Sequence, residues 1–300
     1  MAEQHRSGIP RLIGIMGPTA SGKTELAESI AHELDAQLIN ADAFQIYQGM
    51  DIGTAKPSNK SSYRLLDIRK PSESFGVGEY VLLAQAVLRD CWERGRNVVL
   101  VGGTGLYVRA LFEEYTDMAP APDPELRRKL DERTLEDLVS ELRRVAPDES
   151  SRVDLKNRVR VQRTIERLSH WKPSVPVNLP PFEKTKLAVV REPSDTSDRI
   201  TRRVVEMVHN GWVQEVRDLR DNGYTLSDPG MRALGYRAIW EHLAGEIEIE
   251  EAVATTIADT RRYAKRQRTW LRSEPKLVTF EGVDALNQAS NYVLFDSCRK

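Results

Sequence analysis

Residues 11–24 read "RLIGIMGPTASGKT", and this stretch decides the fold. Arg11 to Met16 is a short apolar run with the look of a buried strand, and it runs directly into Gly17 to Thr24, a match to GxxxxGK[ST]. In that pattern the glycines let backbone N–H groups turn inward around phosphate oxygens, and the following helix adds its positive N-terminus. Gly17, Pro18, Thr19, Ala20, Ser21, Gly22, Lys23 and Thr24 are therefore the expected diphosphate-binding residues. Lys23 contributes a point charge, and the Thr24 hydroxyl is the expected ligand of a Mg²⁺ ion. A glycine-rich turn with no ligand would leave the Gly-Lys-Thr triplet unexplained.

Working outward, Gly22 to Leu34 carries apolar residues at helical spacing (Leu26, Ile30, Leu34), and Gln37 to Asn40 reads as a second buried strand. Glu79 to Arg94 is an amphipathic helix closed by Gly95, followed by a third strand at Asn97 to Val101 and by "GGTGLY" opening another helix. Strands alternating with helices imply a parallel, doubly wound sheet. Lys186 to Arg191 reads as a strand returning to it. Helices are expected over Asp198–Asn222, Gly235–Ala244 and Ile249–Leu271. Two proline-rich hinges, Thr116–Pro124 and Lys172–Phe182, bracket a helical, arginine-rich stretch. The expectation is an α/β fold: a P-loop nucleoside-triphosphate-hydrolase-like parallel core (1–117 and 183–300) with an inserted all-helical domain at 118–182.

Composition limits the function classes. The chain has 300 residues, 40% of them hydrophobic, with 44 basic against 45 acidic side chains. This suits a globular protein with no overall nucleic-acid footprint, so any such footprint is local. No apolar run approaches the roughly 20 residues of a membrane helix, and Met1–Pro10 lacks a signal peptide's apolar core. Cys91 and Cys298 show no metal-ligand spacing and fit a reducing cytoplasm. A monomer with no membrane partner is expected.

Ligands of open α/β sheets sit outside the carboxyl ends of the strands, so Gly17, Asp42 and Thr104 should face one crevice. A carboxylate beside a polyphosphate holds Mg²⁺ or takes a proton from an acceptor. Its plain alternative is a turn cap. Thr104 could equally be no more than the N-cap of the "GLYVRALF" helix. The third strand ends in glycines instead of the acidic residue that holds Mg²⁺ in most ATPases and GTPases, which weakens a motor or switch reading.

Taken in order, "GPTASGKT", "DAFQIYQGMDIGTAKP", "VGGTGLYVRALF", "RALGYRAI" and "RRYAKRQRTWLR" resemble the tRNA dimethylallyltransferases, also called tRNA isopentenyltransferases, from about Leu12 to Phe280. The resemblance implies transfer of a dimethylallyl group from dimethylallyl diphosphate to N6 of adenine 37, beside the anticodon of certain tRNAs. It implies that Asp42 is the general base and that Thr104 contacts the bridging oxygen of the leaving diphosphate. It implies tRNA contact by Asp42, Ala43, Phe44 and Gln45, by Arg127, by Val159, Arg160, Val161, Gln162 and Arg163, and by Arg232, Gly235, Tyr236 and Arg237, so that the partner is a tRNA anticodon stem-loop. Ala43 stands where the family mostly has serine, Tyr63-Arg64 replaces a common His-His pair, and Asp154-Leu155-Lys156 replaces a His-Pro-Asn segment.

Two basic stripes have helical spacing: Lys156, Arg160, Arg163, Arg167, and Arg261, Lys265, Arg268, Arg272. Their plain reading is a solvated face. However, Glu241 to Asp259 holds six acids and no Lys or Arg before the chain turns basic. This segregation points to a phosphate-backbone track including Arg261, Lys265 and Arg268. Tyr263 and Trp270 in the second stretch read as core residues before base-stacking ones. The competing functions are an adenylate isopentenyltransferase acting on free AMP, a P-loop small-molecule kinase, and a non-catalytic RNA-binding module. The last leaves Lys23, Thr24 and Asp42 without a role.

Overall fold

The structure, a computed structural model, describes residues 8–113, 123–169 and 179–296. Most of both proline-rich hinges, the first residues and Cys298 lie outside them. In chain order the elements are β1 (Arg11–Met16), α1 (Lys23–Glu33), β2 (Gln37–Asn40), β3 (Tyr63–Arg64), α2 (Val77–Glu93), β4 (Val98–Val101) and α3 (Gly105–Phe112). There follow α4 (Pro124–Asp131), α5 (Leu135–Val145), α6 (Pro147–Arg152) and α7 (Arg158–Ser169). The last group is β5 (Glu183–Val190), α8 (Pro193–His209), α9 (Trp212–Asp221), α10 (Tyr236–Leu243), α11 (Ile249–Leu271), β6 (Leu277–Glu281) and α12 (Ala285–Asn291). Two compact units are present, one comprising 1–74, 83–113 and 178–300, the other 75–82 and 114–177.

The first unit holds a six-stranded sheet in the order β3-β2-β4-β1-β5-β6, with every pair parallel. Its central strands are near-continuous apolar runs because helices cover both faces. Ile13 and Ile15 of β1, Val99 of β4 and Leu187 of β5 are fully buried with Ile30 of α1 and Ala289 of α12. Register places the site: Ile15 lies opposite Val101, and Val101 opposite Asn40. The carboxyl ends of β1, β4 and β2 thus coincide, and the segments starting at Gly17, Ala41 and Gly102 leave the sheet side by side.

The expected strands are present, and β3 and β6 are additions to them. Both are short edge strands in which Tyr63 alone is buried, so no buried run marks them. The single helix expected over Asp198–Asn222 is two. Gly211 adopts φ 98°, a left-handed conformation that non-glycine residues avoid, and it breaks the run between α8 and α9.

The helical unit has its own small core of Leu130, Leu138, Leu142, Val161 and Ile165. Asp123 caps α4 by accepting the Glu125 N–H at 2.9 Å, and Thr134 and Asp137 form a reciprocal capping box on α5. Helix α7 begins at Arg158, so Lys156 precedes it and does not share its face.

Candidate active site

The loop Gly17–Gly22 connects β1 to α1. Gly22 sits at φ 93° in the helix N-cap position and supplies no side-chain cap. Two arginines brace the loop from outside: Arg191 Nε donates to the Ser21 carbonyl at 3.1 Å and Arg199 Nε to the Ala20 carbonyl at 3.0 Å. Among the described residues Lys23 Nζ reaches only the Pro18 carbonyl, at 3.4 Å. Burial lowers Lys23 to about 8; the Asp42 charge pulls it back up and Arg203 pushes it further down. The Ser21 hydroxyl is buried with no hydrogen-bond partner among the described residues. An uncapped helix start, a desolvated ammonium and an unpartnered hydroxyl together form a donor-rich cradle, which suits a polyanion.

Across from the loop, Asn40 organises the turn after β2. Its side chain accepts the Asp42 N–H at 3.0 Å and donates to the Asp42 and Leu65 carbonyls, each at 3.1 Å. Asp42 Oδ1 accepts the Phe44 N–H at 3.0 Å, so the turn-cap role is real for one oxygen. The other is placed differently: a Cβ built on Gly103 would lie 3.1 Å from Asp42 Oδ2 and 2.7 Å from Gln267 Nε2. Only glycine permits that approach.

Thr104 occupies the N-cap position of α3 without capping it. Its hydroxyl accepts the Ala43 N–H at 2.9 Å instead, and its own N–H donates to the Ala41 carbonyl at 3.2 Å. Gly17, Gly103 and Thr104 line one cleft of about 290 Å³ with Leu106, Tyr263, Gln267 and Trp270. Tyr263 and Trp270 are half-buried walls of this cleft and not core residues. Trp270 packs against Gly105, where a Cβ would approach its ring to 2.1 Å, and Arg109 stacks on it at 4.5 Å. Arg109 is held in turn by Glu274, whose fully buried carboxylate also pairs with Lys186 at 2.7 Å.

The "GMDIGTAKP" string is scaffold. Glu215 of α9 accepts N–H groups from Asp51 and Ile52, both at 2.6 Å, and from Gly53 at 3.1 Å, plus the Tyr236 hydroxyl at 2.7 Å. Lys56, its side chain 1% exposed, donates to Asp51 at 2.8 Å and to the Tyr47 carbonyl. Gln45 turns inward to the Thr54 and Ala55 carbonyls at 3.0 Å.

The other expected tRNA contacts fall into different settings. Val161, Gln162 and Tyr236 are buried, which removes their side chains from any RNA-facing surface. Gly235 packs on Trp212. Arg127 makes a bidentate pair with buried Glu166 at 2.7 and 2.9 Å, and Arg163 joins it at 3.3 Å. Arg268 donates to the Arg191 carbonyl and to Thr196, and Arg261 to Thr201, so these two tie α11 to α8. Val159, Arg160, Arg232, Arg237 and Lys265 are exposed, and Phe44 is half-buried.

Residues 45–274 match the model of the IPP transferase family, and residues 10–67 that of the isopentenyl transferases. The chain belongs to the IPP transferase family. It is 36% identical to tRNA dimethylallyltransferase 2 of Geotalea daltonii, over 95% of this chain and 91% of that one. To tRNA dimethylallyltransferase 1 of Citrifermentans bemidjiense it is 38% identical, over 90% and 92%. The tRNA isopentenylpyrophosphate transferase of Bacillus halodurans superposes with a TM-score of 0.70 at 33% identity, covering 94% of this chain and 95% of that one.

Gln267 is the site residue that sequence reading missed. It lies in the quoted "RRYAKRQRTWLR" block, where a neutral polar side chain on the buried face of a basic helix was the available signal. Arg191 and Arg199 carried no such mark.

Proposed function

We propose that this protein is a tRNA dimethylallyltransferase that moves the dimethylallyl group of dimethylallyl diphosphate onto N6 of the adenine beside the anticodon. The observation that carries this reading is the sharing of one cleft by Gly17, where the phosphate loop begins, and Thr104, with the Asp42 carboxylate against its Gly103 wall.

The loop, Lys23 and the α1 N-terminus hold the diphosphate and take up the negative charge that grows as the allylic C–O bond breaks. The Thr104 hydroxyl, accepting from Ala43, keeps its own proton to donate to the bridging oxygen. Adenine N6 is a weak nucleophile because its lone pair is delocalised into the ring. Asp42 Oδ2 takes its proton as the C–N bond forms, a contribution of roughly 10²–10⁴-fold for catalysis of this kind. The adenine must first leave its stack, at a cost of a few kcal/mol.

The Gly-Lys-Thr triplet of the loop is the ground for including a Mg²⁺ ion. Among the described residues no three His, Cys, Asp or Glu side chains gather for a metal, so the ion would rest on the Thr24 hydroxyl and the substrate's own phosphate oxygens. When bound it supplies further neutralisation of the leaving diphosphate. The exposed Arg160, Arg232, Arg237 and Lys265 are suited to phosphate contact, in a monomer acting in the cytoplasm; no helix among the described residues is long and apolar enough to cross a membrane.

Incubation with radiolabelled dimethylallyl diphosphate, offering unmodified tRNA, AMP and ATP together, tests the reading. Label should enter tRNA alone. Label in AMP, or phosphate transfer from ATP, would overturn it.

A further inference from the structure

Gln267 spans the cleft's two working walls. Its Oε1 accepts the N–H of Thr19 in the diphosphate loop at 2.9 Å, and its Nε2 donates to the carbonyl of Gly103, just before Thr104, at 3.0 Å. The residue is 9% exposed. Tyr263, one turn earlier on α11, lines the same cleft.

From the structure we infer that Gln267 is a positioning residue that sets the distance between the diphosphate loop and the Asp42–Thr104 wall. The inference rests on the tRNA dimethylallyltransferase reading above.

Three observations support it. First, β1 and β4 are neighbours in the sheet, but the ladder ends at Ile15–Val101, so beyond it the two segments diverge unless something spans them. The glutamine amide does so from a third element, 248 residues from one partner and 164 from the other. Second, the task needs one acceptor and one donor at a fixed separation, which a primary amide supplies and neither a carboxylate nor a thioether does. Third, the link is in series with the reacting groups: Gly103 leads into Thr104, whose hydroxyl holds Ala43, next to Asp42. Leaving group and base must stand on opposite sides of the transferred carbon, so slack in this chain separates them.

The same placement puts Gln267 Nε2 and Asp42 Oδ2 beside one another over Gly103, 2.7 and 3.1 Å from the point its Cβ would occupy. Among the described residues Lys23 on α1 and Tyr263 on α11 also face Asp42, with Arg266 beside Tyr263.

Gln267→Met and Gln267→Glu, compared with wild type for prenyl transfer to unmodified tRNA across pH, test the assignment. Gln267→Met keeps the bulk and loses both hydrogen bonds. Its kcat should fall by roughly 10²-fold, the cost of a misplacement near 1 Å, with KM for tRNA unchanged. Gln267→Glu keeps the acceptor for Thr19 and places a like charge beside Asp42, which hinders ionisation there. The acidic limb of its pH–rate profile should move to higher pH. A Met variant with wild-type kcat would overturn the inference. So would a loss that tracks a lowered melting temperature and weaker tRNA binding, with the acidic limb of the Glu variant unmoved. Wild-type acceptor choice reports separately on the functional reading: if wild type labels AMP, that reading fails, while the ratio of variant to wild-type rate on AMP still decides the role of Gln267.

Discussion

The Thr104 hydroxyl accepts the backbone N–H of Ala43 at 2.9 Å and caps nothing in its own helix. A hydroxyl that accepts from a fixed donor keeps its own hydrogen to donate, and Thr104 lines the cleft. Thr104→Ser should therefore keep most activity, because the acceptor and donor both survive. Thr104→Val, nearly isosteric, should lower kcat by about 10²-fold, the usual cost of removing one preorganised donor from a developing oxyanion. Steady-state kinetics with both variants checks this, and equal rates would remove the hydroxyl from the mechanism.

Asp42 divides its labour between two oxygens, Oδ1 on the Phe44 N–H and Oδ2 against Gly103. Asp42→Asn preserves the turn and loses the base. Prenyl transfer should drop by roughly 10²–10⁴-fold while tRNA affinity stays within a few-fold. Single-turnover rates beside filter-binding affinities separate the two effects; near-normal turnover would exclude Asp42 as the base.

Burial lowers Lys23 to about 8, and on the function proposed above the diphosphate needs it charged. The ammonium is present below that pH and is lost as pH rises through it. Affinity of the free protein for dimethylallyl diphosphate should therefore weaken above pH 8, by up to roughly tenfold per unit. Lys23→Arg should flatten the dependence, since a guanidinium does not deprotonate in this range. Calorimetric titration at several pH values is the check. Lys23→Ala should weaken binding at every pH.

Glu215 neutralises three backbone N–H groups of the 51–53 turn and the Tyr236 hydroxyl from one carboxylate. Glu215→Ala leaves those donors unmet and should cost about 2–4 kcal/mol of folding stability. Urea denaturation measures the loss. Glu215→Gln, which keeps an acceptor oxygen, should lose less.

On α11 the exposed Lys265 and on α7 the exposed Arg160 are the clean probes of a phosphate track, because Arg268 and Arg163 have partners within the protein. Removing either exposed charge should reduce the salt slope of tRNA binding by about 1. Arg268→Ala should instead show its first effect on stability. An unchanged slope for Lys265→Ala and Arg160→Ala would return both stripes to solvated faces.

What could be read from the chain alone was whatever depends on neighbours in sequence. The apolar runs Arg11–Met16, Gln37–Asn40 and Val98–Val101 became central parallel strands, because a strand buried on both faces must be apolar throughout. Asp42 and Thr104 then followed at strand ends as residues bound for one crevice. The edge strands, the break at Gly211 and the inner settings of Tyr236, Arg127 and Arg268 had no such local mark. Each of those side chains is assigned by a partner tens of residues or more away: Glu215, Glu166, Thr196. A basic residue at helical spacing looks the same whether it meets water, RNA or a buried carboxylate, and only packing settles which. Gln267 belongs with these, since an amide in a basic helix acquires its role only once the fold brings Thr19 and Gly103 to either end of it.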